Sequence, residues 1–212
     1  MIANRDTRKG HIVTVDGGSS SIKFGLFALS PRLRPILSGK VERIGLPGTK
    51  LTATSVMTRE SHSVLLNASA PAGCVKPLLD FLEEKVGLNR VAAIAHRIVH
   101  GGVRYRQPHW ISSELVDALR DLCPLDPDHL PLEISLIEAC TERDPKVPQV
   151  ACFDTAFHAG MPTAAYRRGT GNSFATSSSI RRPTDVNMHA HGMKRIVPEL
   201  IIDGRHRDRI EA

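Results

Sequence analysis

Val13-Thr14-Val15-Asp16-Gly17-Gly18-Ser19-Ser20-Ser21-Ile22-Lys23-Phe24 is the stretch on which the reading of this chain turns. β-Branched and aromatic residues flank a pair of glycines, the pattern of two short strands joined by a tight hairpin. Inside and just beyond the turn stand an acid, three hydroxyls and a lysine. Glycines let backbone N–H groups come close to an anion, and serines add further donors. Gly18, Ser19, Ser21 and Lys23 are therefore candidate phosphate ligands. Asp16, at the end of the first strand, is a candidate Mg²⁺ ligand, directly or through water. Taken alone, the same residues also describe a polar hairpin whose serines only satisfy the backbone. The spacing is neither G-x-x-x-x-G-K-[ST] nor G-x-G-x-x-G, so neither of those phosphate loops applies.

Working outward, Ile36 to Arg43 and Ser63 to Asn67 read as further strands, with Gly45-Leu46-Pro47-Gly48 as a loop between them. Val75, Leu78, Leu79, Leu82 and Val86 recur at helical spacing, and Gly87 is placed to end that helix. Val91 to Ala95 is a short buried strand that runs into His96-Arg97-Ile98-Val99-His100-Gly101-Gly102. Ser112 or Ser113 caps a helix carrying Leu115, Val116, Leu119 and Leu122, and Cys123-Pro124-Leu125-Asp126-Pro127 breaks it. A second helix starts near Pro131 and runs to about Cys140. Gln149 to Phe153 is another buried strand, ending at Asp154-Thr155-Ala156-Phe157-His158. Strands that alternate with helices after an opening meander predict an α/β fold, with its polar motifs at the carboxyl ends of strands.

Two of those motifs carry candidate chemistry. Arg97 leaves a buried strand before two glycines, where a guanidinium can grip carboxylate or phosphate through two parallel hydrogen bonds. A surface arginine beside a turn would look the same. Asp154 holds the matching place after the Gln149–Phe153 strand, suited to orienting a nucleophile, binding magnesium or capping a helix. His96 and His100 read as structural histidines beside Arg97. His189, His191 and His206 suggest metal binding by type, but they fall in the stretch expected to be poorly ordered.

Composition narrows the class. The 212 residues are long enough to bury about 70% of the unfolded surface. Hydrophobic content of 41% and charged content of 24% are those of an ordinary globular protein. Aromatics make up only 4%, which argues against stacking platforms for nucleic acid. No apolar run reaches the length of a membrane span, so neither nucleic acid nor membrane is an expected partner. Cys74, Cys123, Cys140 and Cys152 form no C-x-x-C pair and suit free thiols in a reducing, cytoplasmic setting. The net charge of +6 is concentrated at the end of the chain: residues 163 to 212 hold nine Lys/Arg against five Asp/Glu. From residue 169 the sequence is rich in Gly, Ser, Thr and Arg, with few large apolar groups to offset the ordering entropy. Division into a folded domain over 1–168 and a disordered basic tail over 169–212 is expected.

The first hairpin resembles the first phosphate loop of the sugar kinase, actin and heat-shock chaperone ATPase superfamily. More specifically, V-D-G-G-S-S-S-I-K-F, A-H-R-I-V-H-G-G, C-P-L and A-C-F-D-T-A-F-H-A-G-M-P occur in the order and spacing of the acetate kinase family, over about residues 11 to 168. The resemblance implies the amino-terminal domain of the actin-like fold and transfer of the ATP γ-phosphoryl group to a short-chain carboxylate such as acetate, with Mg²⁺. It implies that Ser19, Ser21 and Lys23 belong to the phosphate site, and that Arg97 grips carboxylate and transferred phosphoryl. It further implies that Val99 and Leu125 line the pocket for the acyl methyl group and that Asp154 is the active-site acid. Homodimers formed through a second domain are usual in the family.

Three departures bear on what to expect. Asp16 stands where the family usually carries Asn. Pro124-Leu125-Asp126-Pro127 replaces P-L-H-N-P, so an aspartate occupies the place of a histidine expected to touch the phosphoryl group. After Arg168 the family's Y-G-F-H-G-T-S-H and its second, adenosine-binding domain have no counterpart. The alternative to an active kinase is thus a truncated, non-catalytic remnant, inactive alone.

Overall fold

The computed structural model describes residues 10–155 apart from 19, 30–32 and 69. Eight strands form one sheet: β1 (His11–Gly18), β2 (Ser21–Ala28), β3 (Arg34–Glu42), β4 (Lys50–Ser55), β5 (Ser61–Leu65), β6 (Val91–Ile98), β7 (His109–Trp110) and β8 (Gln149–Phe153). Among the described residues three α-helices accompany them: α1 (Pro71–Val86), α2 (Ser113–Leu122) and α3 (Leu130–Arg143). The strand order is β5-β4-β3-β2-β1-β6-β8-β7. β1 to β5 form an antiparallel meander, whereas β6 lies parallel to β1 and β8 parallel to β6. This is the α/β architecture the sequence predicts. The expected boundary at 168 and the tail beyond it lie outside the described residues.

Alternation along β1 divides its two faces. Val13 and Val15 join the main core with Ile22 and Phe24 of β2 and with Val75, Leu78 and Leu82 of α1. Ile12 points the other way, into a small cluster with Ala95, Val150 and Cys152. α3 ties the helical layer together. Its Leu132, Leu136 and Cys140 enter the main core, while Leu130, Ile134 and Ile137 pack with Leu115 and Leu119 of α2 against Ile98, Ala151 and Phe153. Full burial of each such leucine or isoleucine contributes about 1.5–3 kcal/mol, so α3 is anchored on both sides.

Local chemistry sets the ends of these elements. Ser112 caps α2, its hydroxyl oxygen accepting the Leu115 N–H at 3.3 Å. Cys123–Leu125 follows as a single 3-10 turn, Pro124 having no N–H with which to continue α2. The loop after β3 is closed by buried Thr49, whose hydroxyl reaches the Arg43 carbonyl at 3.0 Å. Cys74, Cys123, Cys140 and Cys152 are free thiols.

Several sequence expectations need correcting. β3 spans Arg34–Glu42 rather than Ile36 to Arg43, and β5 spans Ser61–Leu65 rather than Ser63 to Asn67. β6 runs to Ile98 rather than Ala95, because His96 and Arg97 keep their ladder partners in β1 and β8. β4 went unrecognised: its inward residues are only Leu51 and Ala53, between polar Lys50, Thr52 and Thr54. β7, two residues long, leaves no periodicity to read.

Candidate functional site

β1, β6 and β8 are adjacent and parallel, so their carboxyl ends open on the same edge of the sheet. Register places Asp16 beside Arg97, and Arg97 beside Cys152, two residues before Asp154. Period-two alternation then puts Asp16, Arg97 and Asp154 on one face, with the arginine between the two acids.

The side chains meet as that register requires. Arg97 donates from Nε to both Asp154 oxygens at 3.1 Å and from one terminal nitrogen to Asp154 Oδ2 at 2.5 Å. Its other terminal nitrogen donates to Asp16 Oδ1 at 3.1 Å. The guanidinium side chain is 18% exposed, and Asp16 and Asp154 are 15% and 21% exposed. Burial works against the Arg97 charge, but the Asp154 hydrogen bonds and the Asp16 field prevail and raise its pKa. The result is a fixed cation flanked by two carboxylates, with a net charge of −1.

The remaining candidates fall around this triad. Lys23 sits directly across from Asp16 in the β1–β2 pair, on the same face. Gly18 pairs with Ser21 at the mouth of the hairpin, and Ser19 lies outside the described residues. Gly17 owes its identity to packing. A Cβ there would stand 2.7 Å from Leu136 Cδ1 and 3.3 Å from Leu132 Cγ, so α3 can press on β1 only above a glycine. Val99 is half-buried at the exit of β6, whereas Leu125 stands 75% exposed on the 3-10 turn. The triad is thus assembled, and Leu125 is not enclosed.

The neighbouring histidines have distinct duties. His96 is buried beneath α3, its Nε2 2.7 Å from Gln149 Oε1, and burial pushes its pKa down to about 4. Gln149 in turn donates to Thr141 Oγ1 at 2.7 Å. His96 is a satisfied core histidine, as read. Asp126, the acid in the place of the expected histidine, is paired with His129 Nδ1 at 2.8 Å. That hydrogen bond holds the Asp126 carboxyl below its ordinary range. Its partner thus lies within its own turn and is not Arg97.

Glu133 was not foreseen. It occupies the first turn of α3, buried, and accepts the Val99 N–H. The signal was present in the sequence: position 133 falls on the same helical face as Leu130, Ile134 and Ile137, where an apolar residue is the rule.

A bound Mg²⁺ can be tested against this donor set. Magnesium is usually held by one or two carboxylates together with substrate phosphates and water. Asp16 and Asp154 supply that number of carboxylates on one face, and their oxygen chemistry is appropriate. Among the described residues no three His, Cys, Asp or Glu side chains gather into a preformed metal cage. Asp16 and Asp154 fit a metal whose remaining ligands come from phosphate and water.

Comparison with known proteins bears on the family and the fold. The model of the acetokinase family matches residues 11–193. The acetate kinase of Deinococcus radiodurans is 37% identical over 171 residues, which are 80% of this chain and 42% of the relative. The crystal structure of a propionate kinase from Francisella tularensis superposes with a TM-score of 0.63 at 31% identity, covering 73% of this chain and 39% of that one. The acetate kinase of Porphyromonas gingivalis gives a TM-score of 0.63 at 29% identity, over 73% and 40%. The fold is that of these kinases, the actin-like ATPase fold. The chain spans about two fifths of the length of the curated relatives it matches.

Proposed function

This chain belongs to the acetokinase family, and we propose that its Arg97-centred triad is the acceptor side of an ATP- and Mg²⁺-dependent phosphoryl transfer to a short-chain carboxylate. The single observation that carries this reading is the placement of one guanidinium between two carboxylates at the adjoining ends of three parallel strands. Phosphoryl transfer demands little covalent chemistry of the protein. It needs an aligned acceptor and compensation of the phosphoryl charge. Arg97 supplies a cation already held in orientation, and a bound acetate or phosphoryl oxygen takes over hydrogen bonds now made to Asp154 or Asp16. Asp16 and Asp154 would hold the magnesium, whose role is to neutralise phosphate charge. Ser21, Lys23 and the Gly18 amide face the phosphates, and Val99 with Leu125 receives the acyl methyl group. The buried free thiols Cys74, Cys140 and Cys152 suit a cytoplasmic setting.

A second reading is favoured by one observation: among the described residues the site face is built from a single sheet edge. In that reading the chain as given holds a carboxylate or phosphate but does not complete the reaction alone. Binding by a few exposed polar groups leaves little affinity after the entropic cost of association, so ATP binds at about millimolar Kd or weaker. Isothermal titration of the full chain with acetate and with inorganic phosphate tests the acceptor site. Saturable binding by the wild type that Arg97→Ala removes is the expected result, and equal binding by both proteins would place the anion site elsewhere.

A further inference from the structure

Glu133 takes no part in the chemistry proposed above, yet only 1% of its surface is exposed. Among the described residues no lysine, arginine or histidine comes within ion-pair distance of it; the nearby arginine, Arg97, spends its hydrogen bonds on Asp16 and Asp154. A buried carboxyl without a cationic partner is destabilising where a leucine on the same helix face would not be. What it does contact is specific. The Val99 backbone N–H donates to its two oxygens at 3.3 and 3.2 Å. Ile98, opposite Phe153, is the last residue of the β6–β8 ladder, so Val99 is the first residue beyond the sheet. Glu133 therefore supplies, from α3, the acceptor that a neighbouring strand no longer offers.

We infer that Glu133 is a positioning residue of the anion site: by holding the Val99 amide it fixes the exit of β6, and with it the pose of Arg97 two residues earlier and of Val99 toward a bound carboxylate. The identity of that ligand rests on the reading above; the Glu133–Val99 contact does not. Further along, Gly101 fixes the same exit from the other side. It bridges Tyr105, and a Cβ there would stand 2.5 Å from Tyr105 and 2.8 Å from Phe153. The charged groups whose fields reach Glu133 are Arg97 on β6, Asp154 after β8 and Asp126 in the turn before α3. Burial pushes the carboxyl up to about 8, against the Val99 amide and Arg97, which favour its charge. At neutral pH it therefore holds the amide as a neutral acid and adds no third negative charge beside the triad. Ionised, it opposes an incoming anion.

The test uses the full chain labelled with ¹⁵N and acetate as the probe, which stays ionised from about pH 6 to about pH 10. In the wild type the Val99 amide is protected from hydrogen exchange, and its chemical shift moves as Glu133 ionises near pH 8. Glu133→Gln keeps the protection and loses the transition. Glu133→Leu loses protection at Val99 while Ala93 and Ala95, inside β6, stay protected. Acetate binds Glu133→Leu about tenfold more weakly, the equivalent of about 1.4 kcal/mol. Glu133→Gln binds it as the wild type does at pH 6.5 and without the weakening at high pH. Equal Val99 protection in Glu133→Leu, or undiminished acetate affinity, would overturn the inference. Should the leucine variant not fold, a Val99 transition that persists in Glu133→Gln would overturn it as well. If the wild type binds no acetate at any pH, the carboxylate reading fails, while the Val99 amide still decides the role of Glu133.

Discussion

Replacing Arg97 with methionine retains an unbranched apolar stem and removes only the guanidinium. Asp16 and Asp154 are then left facing one another at 15% and 21% exposure, without the four hydrogen bonds that joined them. Removing one partner of a fully buried ion pair costs about 3–5 kcal/mol, chiefly because an uncompensated charge stays behind. The residual exposure of both acids lets water screen part of that charge, which lowers the expected loss to about 2–3 kcal/mol. Urea unfolding at pH 7 measures it, with the wild-type slope as the check on two-state behaviour. The repulsion can be isolated by adding Asp16→Asn to Arg97→Met. The double variant should recover about 1 kcal/mol or more, since residues in one network couple by about 0.5–3 kcal/mol. A loss below about 0.5 kcal/mol, typical of an exposed pair, would refute the description of the triad as a buried, mutually dependent network. A double variant no more stable than the single one would refute it too.

Other outcomes follow from the same structure. His96, neutral in its buried site, has its pKa lowered from 6.5 to about 4. Its contribution is full above pH 6.5 and is lost as pH falls toward 4, an acid-side loss of about 3 kcal/mol that His96→Gln should remove in urea titrations. Glu133 has the opposite sign: its pKa is raised from 4.5 to about 8, so stability declines as pH rises through that window and levels off above it. Glu133→Gln should flatten that decline, and thermal melts at pH 5, 7 and 9 will show it. Gly17→Ala places a methyl against Leu136 and Leu132 and should cost about 1–3 kcal/mol by overpacking; an unchanged midpoint would mean that α3 yields freely.

The opening hairpin was legible because its period-two pattern and its turn residues agree over one short stretch. The bounds of β8 were legible because five consecutive buried residues are closed by Asp154. Asp154 does follow its strand as read, whereas Arg97 lies within β6, one residue before its end. That both acids close on one arginine was not legible. It depends on β1, β6 and β8 being neighbours, a pairing between residues up to 81 positions apart that no local window contains. β6 was read too short because His96 and Arg97 interrupt an apolar run, although each is satisfied by partners distant in sequence. Asp126 illustrates the same limit. Its hydrogen bond with His129, three residues on, follows from how the turn closes and not from the acid alone. Glu133 was overlooked because its helix was read for its apolar stripe alone, and an acid on that stripe marks a contact with something outside the helix.

The most direct test of the central claim is the formation of acyl hydroxamate by the purified full chain with ATP, Mg²⁺, acetate and hydroxylamine. If the Arg97 triad is the acceptor side of a reaction that this chain does not complete alone, no product above background forms. Hydroxamate that scales with protein concentration and disappears in Asp154→Ala would contradict that, and would assign the whole reaction to this chain.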